Sequence, residues 1–290
     1  MFDIDKYYEA KTLDDALLYL KENQGAKVIA GGTDVLLRIR EGKLAGAHLM
    51  GISFIDTLKG VSLDEKGDLH IGPMMTFTAI EENETILKHI PILAEAVGSI
   101  GGPQIRNVAT IGGNVCNGAT SADSASSLFC LNAKLKIQTA DEMKMVPIQE
   151  FYLGPGKVIL ESGQMLTDII IEKKDFDGYK GTYKKFAQRG AMDIATIGCA
   201  VVLKHDGKII QDIRIGCGVA APTPIRCTDA ENIGRGMAIT EENIDAMAKA
   251  TISNIRARDS WRGSKTFREH LVYELTKRGT KKLVGLPEEE

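Results

Sequence analysis

Apolar residues in the first part of the chain alternate between helical and strand-like spacing. Leucines and alanines repeat along one face from residue 13 to residue 24, which predicts a helix whose N-cap is Thr12. The short apolar run KVIA at residues 27–30 predicts a buried strand, and VSLDEKGDLHI at residues 61–71 predicts a β-hairpin. This part of the chain therefore mixes helices and strands.

Regular spacing ends just before residue 100. Thr78 and Glu81 have the separation of a capping box, and a proline suits the first turn of a helix over residues 91–100. Residues 98–127 then contain six glycines and only two charged residues, with neither helical nor strand periodicity. Such a segment has too few bulky side chains to fill a core and too few charges to prefer water. We expect it to be irregular and to wrap around a ligand.

Strands precede helices in the last third of the chain. Alternating apolar residues predict strands at residues 181–188 and 196–218, the second of which turns back at an Asp-Gly pair. Helical spacing then predicts helices at about residues 240–255 and 264–278. A group of strands followed by a group of helices is typical of a separate α+β domain. We place the domain boundary at about residues 175–178.

The composition matches an ordinary folded protein and excludes several classes of partner. The 290 residues include 43% hydrophobic and 26% charged residues, and the length allows either two medium domains or one large domain. The formal net charge is -3, and basic residues are interspersed with acids, so we expect no nucleic-acid partner. No apolar run approaches the ~20 residues that span a bilayer, and the first residues lack the features of a secretory signal. We therefore expect no membrane contact and a cytoplasmic location.

The cysteines and histidines do not form a metal-binding pattern. Iron–sulfur clusters and structural zinc sites need closely grouped thiolates. The five histidines are scattered, without HxxxH or HExxH spacing, so we predict no metal site on this chain. The five cysteines are odd in number and widely spaced, which indicates reduced thiols: Cys116, Cys130, Cys199, Cys217 and Cys227.

A glycine pair follows the first predicted strand. In IAGGTDVLL (residues 29–37), Gly31 and Gly32 end the strand, and Thr33 or Asp34 begins a helix. Glycines allow backbone N–H groups to approach an anion without a Cβ in the way, and the start of the next helix favours negative charge. The motif fits a pyrophosphate; an ordinary strand-to-helix turn is the other interpretation.

A second glycine pair lies in the segment without periodicity. In TIGGNVCNG (residues 110–118), Gly112 and Gly113 are flanked by the hydrogen-bonding residues Thr110 and Asn114. Two such loops in one chain, one of them in a long uncharged segment, favour ligand binding over simple turns. We therefore predict a dinucleotide that contacts two backbone loops.

Other nucleotide-binding and catalytic motifs are disfavoured. Gly216, Gly218 and Ala221 match the GxGxxA spacing after a predicted strand. Pro222 and Pro224, however, stand where the phosphate-binding helix should continue. The sequence contains no GxxxxGK[ST] segment, no GxSxG elbow and no evident Ser-His-Asp arrangement. We predict neither a Rossmann site nor a P-loop, and no catalytic residue.

Charged side chains near these loops are candidates for cofactor contacts. Asp123 is the only acid in the glycine-rich segment and could accept hydrogen bonds from a ligand, although it also suits a turn. In the predicted strand GTYKKFAQ, Lys185 shares a face with Tyr183, opposite Lys184. One of the two lysines should point inward, unless both are solvated on an edge strand.

At these residues the sequence resembles the flavoprotein (medium) subunits of the molybdenum hydroxylases of the xanthine dehydrogenase type. Short glycine pairs are weak alone, but five ordered blocks at family spacing are specific, and they cover nearly the whole chain. The blocks are KVIAGGTDVL (27–36), IGGPQIRNVATIGGNVCNGATSADSA (100–125), GPGKV (154–158), FAQRGAMDIATIG (186–198) and GVAAPTPIRC (218–227).

The resemblance implies an α+β protein with two domains. Residues 1–176 would form a two-part FAD-binding domain of the vanillyl alcohol oxidase and para-cresol methylhydroxylase type. Residues 177–290 would form a C-terminal α+β domain of the carbon monoxide dehydrogenase flavoprotein type.

The resemblance also implies which residues bind FAD. Two loops, residues 27–34 and 109–114, would hold the pyrophosphate and ribose, and Asp123 would bind deeper polar groups. Ile100 and Met165 would pack against flavin or adenine rings, and Lys185 would reach the pyrimidine edge of the flavin. The implied cofactor-binding residues are Lys27, Val28, Ile29, Ala30, Gly31, Gly32, Thr33, Asp34, Ile100, Ala109, Thr110, Ile111, Gly112, Gly113, Asn114, Asp123, Met165 and Lys185.

The function that the resemblance implies is electron transfer within a complex. Xanthine or hypoxanthine would be oxidised at molybdopterin on a large partner subunit. Electrons would cross [2Fe-2S] clusters on a small partner subunit, reach FAD on this chain and pass to NAD. The implied assembly is a dimer of heterotrimers. This chain would carry neither molybdenum nor iron, and it lacks the clustered cysteines of the hydroxybenzoyl-CoA reductase branch.

Three alternatives stay open. The carbon monoxide and nicotinate dehydrogenase branches share the glycine loops, so the complex could act on carbon monoxide, nicotinate or another aromatic N-heterocycle. A self-contained flavin oxidoreductase would need its own substrate pocket and acid-base residues. A scaffold without catalytic function would carry no flavin.

Overall fold

The computed structural model describes residues 2–287 of the chain. Within this part the strands are β1 (Ile4–Glu9), β2 (Lys27–Ile29), β3 (Ala47–Gly51), β4 (Val61–Leu63), β5 (Leu69–Ile71), β6 (Lys134–Gln138), β7 (Met143–Pro147), β8 (Tyr152–Gly154), β9 (Lys157–Val158), β10 (Met165–Ile171), β11 (Lys180–Phe186), β12 (Ile197–His205), β13 (Ile210–Gly218) and β14 (Ile225–Arg226). The α-helices are α1 (Leu13–Glu22), α2 (Val35–Arg40), α3 (Phe77–Glu81), α4 (Glu84–His89), α5 (Pro91–Gly98), α6 (Pro103–Arg106), α7 (Ile111–Cys116), α8 (Asp123–Cys130), α9 (Thr228–Gly234), α10 (Glu241–Ala250) and α11 (Lys265–Val284).

Two sheets form the framework of the first part of the chain. A small parallel sheet has the order β1-β3-β2, and α1 packs on it through Ala16, Leu17 and Leu20, which share one helix face. The helix begins where predicted, because the Thr12 hydroxyl accepts a hydrogen bond from the Asp15 amide. The second sheet is antiparallel, in the order β4-β5-β10-β6-β7. The first glycine pair therefore lies at the carboxyl end of β2, at one edge of the parallel sheet.

The last third of the chain is built on one antiparallel sheet, β11-β12-β13-β14. Side chains of β12 alternate between its two faces. Ala200 and Val202 join the core of the first part of the chain, whereas Val201 and Leu203 join a second core with α10 and α11. The sheet therefore lies between the C-terminal helices and the first part of the chain.

Most of the predicted elements are confirmed, including the hairpin at residues 61–71 and the strands of the last third. The predicted capping box is wrong, because the N-cap of α3 is Thr76 and not Thr78. The Thr76 hydroxyl accepts a hydrogen bond from the Ala79 amide at 3.2 Å. No helix within residues 2–287 is long and apolar enough to cross a membrane.

We predicted that residues 98–127 would be irregular, and this prediction is wrong. The segment contains α6, α7 and the start of α8. These helices have four, six and eight residues. Helices of one or two turns are too short to show a 3.6-residue period, which is why the pattern misses them. α8 is buried along its whole length although it contains three serines.

Candidate functional site

A cavity of about 370 Å³ lies between the two glycine pairs. The loop after β2, the start of α7 and the start of β10 all contribute to its wall. Its volume is in the range of small-molecule and cofactor sites. The two glycine motifs, far apart in sequence, therefore meet at one site.

We call residues 30–34 the first glycine loop. It joins β2 to α2, and Gly32 has a φ of 75°, a backbone conformation that favours glycine. Within the part of the chain that the structure describes, the backbone N–H groups of Gly31, Gly32 and Thr33 donate no hydrogen bond. Asp34 occupies the N-cap position of α2, but its side chain makes no capping hydrogen bond. The loop thus presents a row of unsatisfied amide donors beside the cavity.

The second glycine loop, residues 109–114, has all its backbone donors except the Thr110 amide satisfied by acceptors within the described residues. Two amides at the start of α7 donate to carbonyl oxygens that lie just before α3. Two others donate to Thr110, one to its hydroxyl oxygen and one to its carbonyl oxygen. The second backbone cradle therefore stays a prediction, and within residues 2–287 only the Thr110 amide of this loop has no acceptor in the protein. The bonds run from Ile111 to Met75 (3.0 Å), from Gly112 to Pro73 (2.9 Å), and from Gly113 (3.1 Å) and Asn114 (3.0 Å) to Thr110.

The second loop offers side chains to the cavity instead. The Asn114 Oδ1 atom accepts a hydrogen bond of 2.6 Å from the Ser124 hydroxyl. That bond orients the side-chain amide and leaves Nδ2 as a donor at the cavity wall. Asn117, one turn further along, also lines the cavity.

The glycines in the two pairs have different structural tasks. A Cβ on Gly31 would lie 1.8 Å from the Val108 carbonyl oxygen, so Gly31 lets the first loop pack directly on the backbone next to the second loop. A Cβ on Gly112 would lie 2.5 Å from the Pro73 Cβ. A Cβ on Gly113, in contrast, would meet only the Thr110 hydroxyl oxygen, at 3.1 Å. Gly113 therefore leaves space at the cavity, whereas its neighbour is needed for packing.

Asp123 and Lys185 form a buried ion pair and do not line the cavity. The Lys185 Nζ atom lies 2.9 Å from Asp123 Oδ2, and the Tyr183 hydroxyl donates to Asp123 Oδ1 at 2.5 Å. The prediction that Tyr183 and Lys185 share one face of the strand is confirmed, since both reach the same carboxylate. Lys185 also donates to the Ser99 carbonyl oxygen at 3.0 Å, and the next residue, Ile100, lines the cavity. The ion pair therefore lies just behind the cavity wall.

Burial dominates the electrostatics of this cluster. Desolvation raises the pKa of Asp123, while the nearby Lys185 ammonium and the hydrogen bonds from Tyr183 and Lys185 oppose that rise. Burial also raises the pKa of Tyr183 well above its ordinary value, so the phenol keeps its proton. The cluster thus combines one cation, one carboxyl group and one neutral donor.

The structure brings most of the predicted cofactor residues to the cavity. Ile29 instead packs with the small core around Ile39, and Ile111 is fully buried in the main core, so neither side chain reaches the cavity. The predicted residues that line the cavity are Lys27, Val28, Ala30, Gly31, Gly32, Thr33, Asp34, Ile100, Ala109, Thr110, Gly112, Gly113, Asn114 and Met165.

Several lining residues were missed by the sequence reasoning. Arg38 lies on α2, one turn after the first glycine loop, and its position after that loop is a signal that could have identified it. Its guanidinium group makes no hydrogen bond or ion pair within residues 2–287. Gln164, Leu166 and Phe77 come from distant parts of the sequence and carry no local signal.

Comparisons with known proteins give consistent matches over nearly the whole chain. Residues 1–173 match the FAD binding domain in molybdopterin dehydrogenase, and residues 181–283 match the CO dehydrogenase flavoprotein C-terminal domain. The chain is 42% identical over 278 residues to the xanthine dehydrogenase FAD-binding subunit of Escherichia coli O157:H7, covering 96% of this chain and 95% of that protein. It is 28% identical over 274 residues to the carbon monoxide dehydrogenase medium chain of Hydrogenophaga pseudoflava, covering 94% of each.

A solved structure has the same fold. Carbon monoxide dehydrogenase from Hydrogenophaga pseudoflava, lacking the Mo-pyranopterin moiety of its molybdenum cofactor, contains a chain that superposes with a TM-score of 0.92. The two chains are 27% identical, and the superposition covers 98% of this chain and 99% of that one. The predicted order, an FAD-binding domain followed by an α+β flavoprotein domain, is confirmed.

Proposed function

The chain belongs to the FAD-binding subunits of the xanthine dehydrogenase-like molybdenum hydroxylases, and we propose that it carries electrons to NAD during the oxidation of a purine. The observation that carries this proposal is the cavity between the two glycine loops. Free amides of the first loop and the side chains of Lys27 and Arg38 meet there, and together they suit the diphosphate of a dinucleotide.

The residues present fit FAD. The first glycine loop would hold the diphosphate through its free backbone donors, and Asn114 would donate to a neighbouring polar group. Ile100, Met165 and Leu166 give the cavity an apolar wall, which would cover ring surface and exclude water. FAD, when bound, supplies a centre that accepts electrons singly or in pairs.

The buried cluster of Asp123, Tyr183 and Lys185 would set the charge behind the ring-binding wall. Lys185 is fixed by two acceptors, so its ammonium group has a defined position. A fixed cation beside a cofactor stabilises negative charge that develops on it. We propose that Lys185 has this positioning and electrostatic role, and that no residue of this chain hydroxylates substrate.

The similarity to a xanthine dehydrogenase subunit supports a purine as the substrate of the complex, which would be bound on a large molybdopterin subunit. A small subunit with [2Fe-2S] clusters would complete a heterotrimer, and we propose a cytoplasmic dimer of such heterotrimers. We place the boundary between the FAD-binding and C-terminal domains at residues 176 and 177. A related hydroxylase acting on carbon monoxide or nicotinate is the second candidate, because proteins with those names also match this chain.

The division of labour among the subunits tests the proposal. The full chain, reconstituted with FAD, should oxidise NADH with an artificial acceptor and should not oxidise xanthine, because it has no clustered cysteines for iron–sulfur centres. Adding both partner subunits should restore xanthine-dependent NAD reduction. Anaerobic bleaching of the flavin by xanthine in the chain alone would contradict the carrier role, and would favour a self-contained oxidoreductase.

A further inference from the structure

A second cavity, of about 420 Å³, lies between the two halves of the chain. Thr120, Ser121 and Pro155 line one side, and the other side comes from the last third of the chain. It shares no lining residue with the cavity between the glycine loops. Four arginines line it, and we call them the arginine cluster: Arg256, Arg258, Arg262 and Arg268.

No arginine of the cluster forms an ion pair with an acid in the described part of the chain. Aspartate and glutamate are absent from the described residues that line this cavity. The Arg256 guanidinium group donates to the carbonyl oxygens of Ser253 and Ile255, both at 2.8 Å, and Arg258 makes no hydrogen bond or ion pair in the described part of the chain. Asp259, the nearest acid in sequence, accepts the Lys265 amide at 2.6 Å.

Two guanidinium groups of the cluster also have buried donors without acceptors. Arg268 is 3% exposed and donates to the Thr196 carbonyl oxygen (2.5 Å) and to the Ser260 hydroxyl (2.7 Å). Its Nε atom, and that of Arg262, are buried and find no acceptor among the residues that the structure describes. Burial, together with the charges of Arg258 and Arg262, lowers the pKa of Arg268.

Such an arrangement is unfavourable unless an anion completes it. Buried donors without partners and clustered like charges both destabilise a fold. A guanidinium group presents a planar fork of donors that matches phosphate oxygens in a bidentate way. A single carboxylate side chain from another protein would fill only part of the cavity, whereas the volume is suited to a small molecule.

We propose that the arginine cluster binds the diphosphate group of a small molecule. The apolar residues Ile194, Val219, Ala221 and Pro222 share the cavity wall and would contact the rest of an organic ligand. The diphosphate could be inorganic pyrophosphate or part of a nucleotide or dinucleotide. The proposal goes beyond the proposed function and does not rest on FAD binding, since the two cavities are separate.

The sequence provides a built-in probe of this cavity. The chain has one tryptophan, Trp261, and the Arg262 guanidinium lies 4.2 Å from the centre of its ring. A ligand that engages Arg262 should change the emission of Trp261, which is 74% exposed. The full chain, loaded with FAD, is titrated with pyrophosphate, ADP and NAD at constant ionic strength, with sodium chloride as the reference salt.

Arg258→Gln tests the site with little risk to folding, because Arg258 is exposed and makes no contact that the fold requires. Arg278→Gln is the matched control, since it removes the same charge from a surface pair with Glu274. We expect saturable emission changes in the wild type and in Arg278→Gln, and about tenfold weaker binding in Arg258→Gln.

The arms of the titration distinguish the sources of the diphosphate. Binding of pyrophosphate alone would assign an inorganic ligand, and tighter binding of ADP or NAD would assign a nucleotide; both support the site. Equal affinities in Arg258→Gln and Arg278→Gln, or a response no larger than that to chloride, would overturn the proposal. FAD content, measured by flavin absorbance, should be unchanged in both variants.

Discussion

The two glycine loops look alike in sequence but differ in what their backbone can do. The first loop leaves the N–H groups of Gly31, Gly32 and Thr33 without acceptors, whereas the second loop has its amides bonded to Pro73, Met75 and Thr110. A paired glycine is therefore not sufficient evidence for an anion cradle. Whether an amide can bind a ligand depends on acceptors that come from elsewhere in the chain.

We propose that the first loop binds the anion and that the second loop shapes the cavity. Gly31 and Gly112 allow the loops to pack on neighbouring backbone, and Gly113 keeps space open. Side chains of the second loop, above all Asn114, supply what its backbone does not. The predictions below test this division of tasks.

The largest effect should come from Gly31→Ala. The new Cβ would lie 1.8 Å from the Val108 carbonyl oxygen and 2.6 Å from the Val108 carbonyl carbon. The backbone of residue 31 or of Val108 would therefore have to move. We expect the free energy of unfolding to fall by about 4 kcal/mol or more. Urea unfolding of the FAD-free chain measures it, with Gly25→Ala as control, because Gly25 has open space around its Cβ position. Equal midpoints for the two variants would contradict direct packing between the loops.

The second effect concerns the buried ion pair of Asp123 and Lys185 behind the cavity wall. Lys185→Met removes the cation from a buried pair, and we expect a loss of about 3 kcal/mol. Burial raises the pKa of Asp123 in the folded chain above its value in the unfolded chain. The free energy of unfolding therefore falls as the pH rises from the ordinary carboxyl range through the folded-state pKa. Without Lys185 that pKa should rise further, so the deficit relative to the wild type should grow with pH.

Chemical unfolding at several pH values checks this prediction, with Lys184→Met as the neighbouring control. Lys184 is half-buried and projects from the face of β11 opposite Lys185, so the loss in its variant should not follow the same pH dependence. A Lys185→Met deficit that is constant across pH would show that Asp123 is not the group responsible.

The smallest of the three effects should come from Gly113→Val. Only the Thr110 hydroxyl oxygen lies near its Cβ position, so the chain should fold, while the added methyl groups reduce the space at the cavity. We expect FAD to bind about tenfold more weakly or worse, as measured by flavin fluorescence titration. Gly25→Val is the control, and full flavin occupancy in both would contradict the assignment of this cavity.

Gly32→Val would be a poorer test of the same idea. Gly32 has a positive φ, so a branched side chain would strain the backbone as well as crowd the ligand. Folding and binding losses could not be separated in that variant.

The sequence predicted the elements with clear periodicity, and it missed features that depend on distant contacts. The start of α1 at Thr12 and the hairpin of β4 and β5 follow from local patterns. The helices α6 and α7 escaped prediction because each has fewer than two full turns and α7 contains two glycines. Thr76 caps α3 instead of Thr78, a choice between two similar threonines that local spacing did not decide.

The candidate site was predicted in position but not in chemistry. Both glycine loops line one cavity, as the predicted binding of one dinucleotide by two loops requires. The carbonyl groups of Pro73 and Met75 occupy the second loop's donors, and they lie more than thirty residues before it. Pairing of that kind is set by tertiary packing, so no local pattern reveals it.

Hydrogen exchange at individual backbone amides tests the central claim most directly. In the FAD-free chain, the amides of Gly31, Gly32 and Thr33 should exchange quickly, because they have no acceptors, and those of Gly112 and Gly113 should exchange slowly. Saturating FAD should protect the first set and leave the second nearly unchanged. Protection confined to Gly112 and Gly113, or no added protection at Gly31, Gly32 and Thr33, would contradict the account.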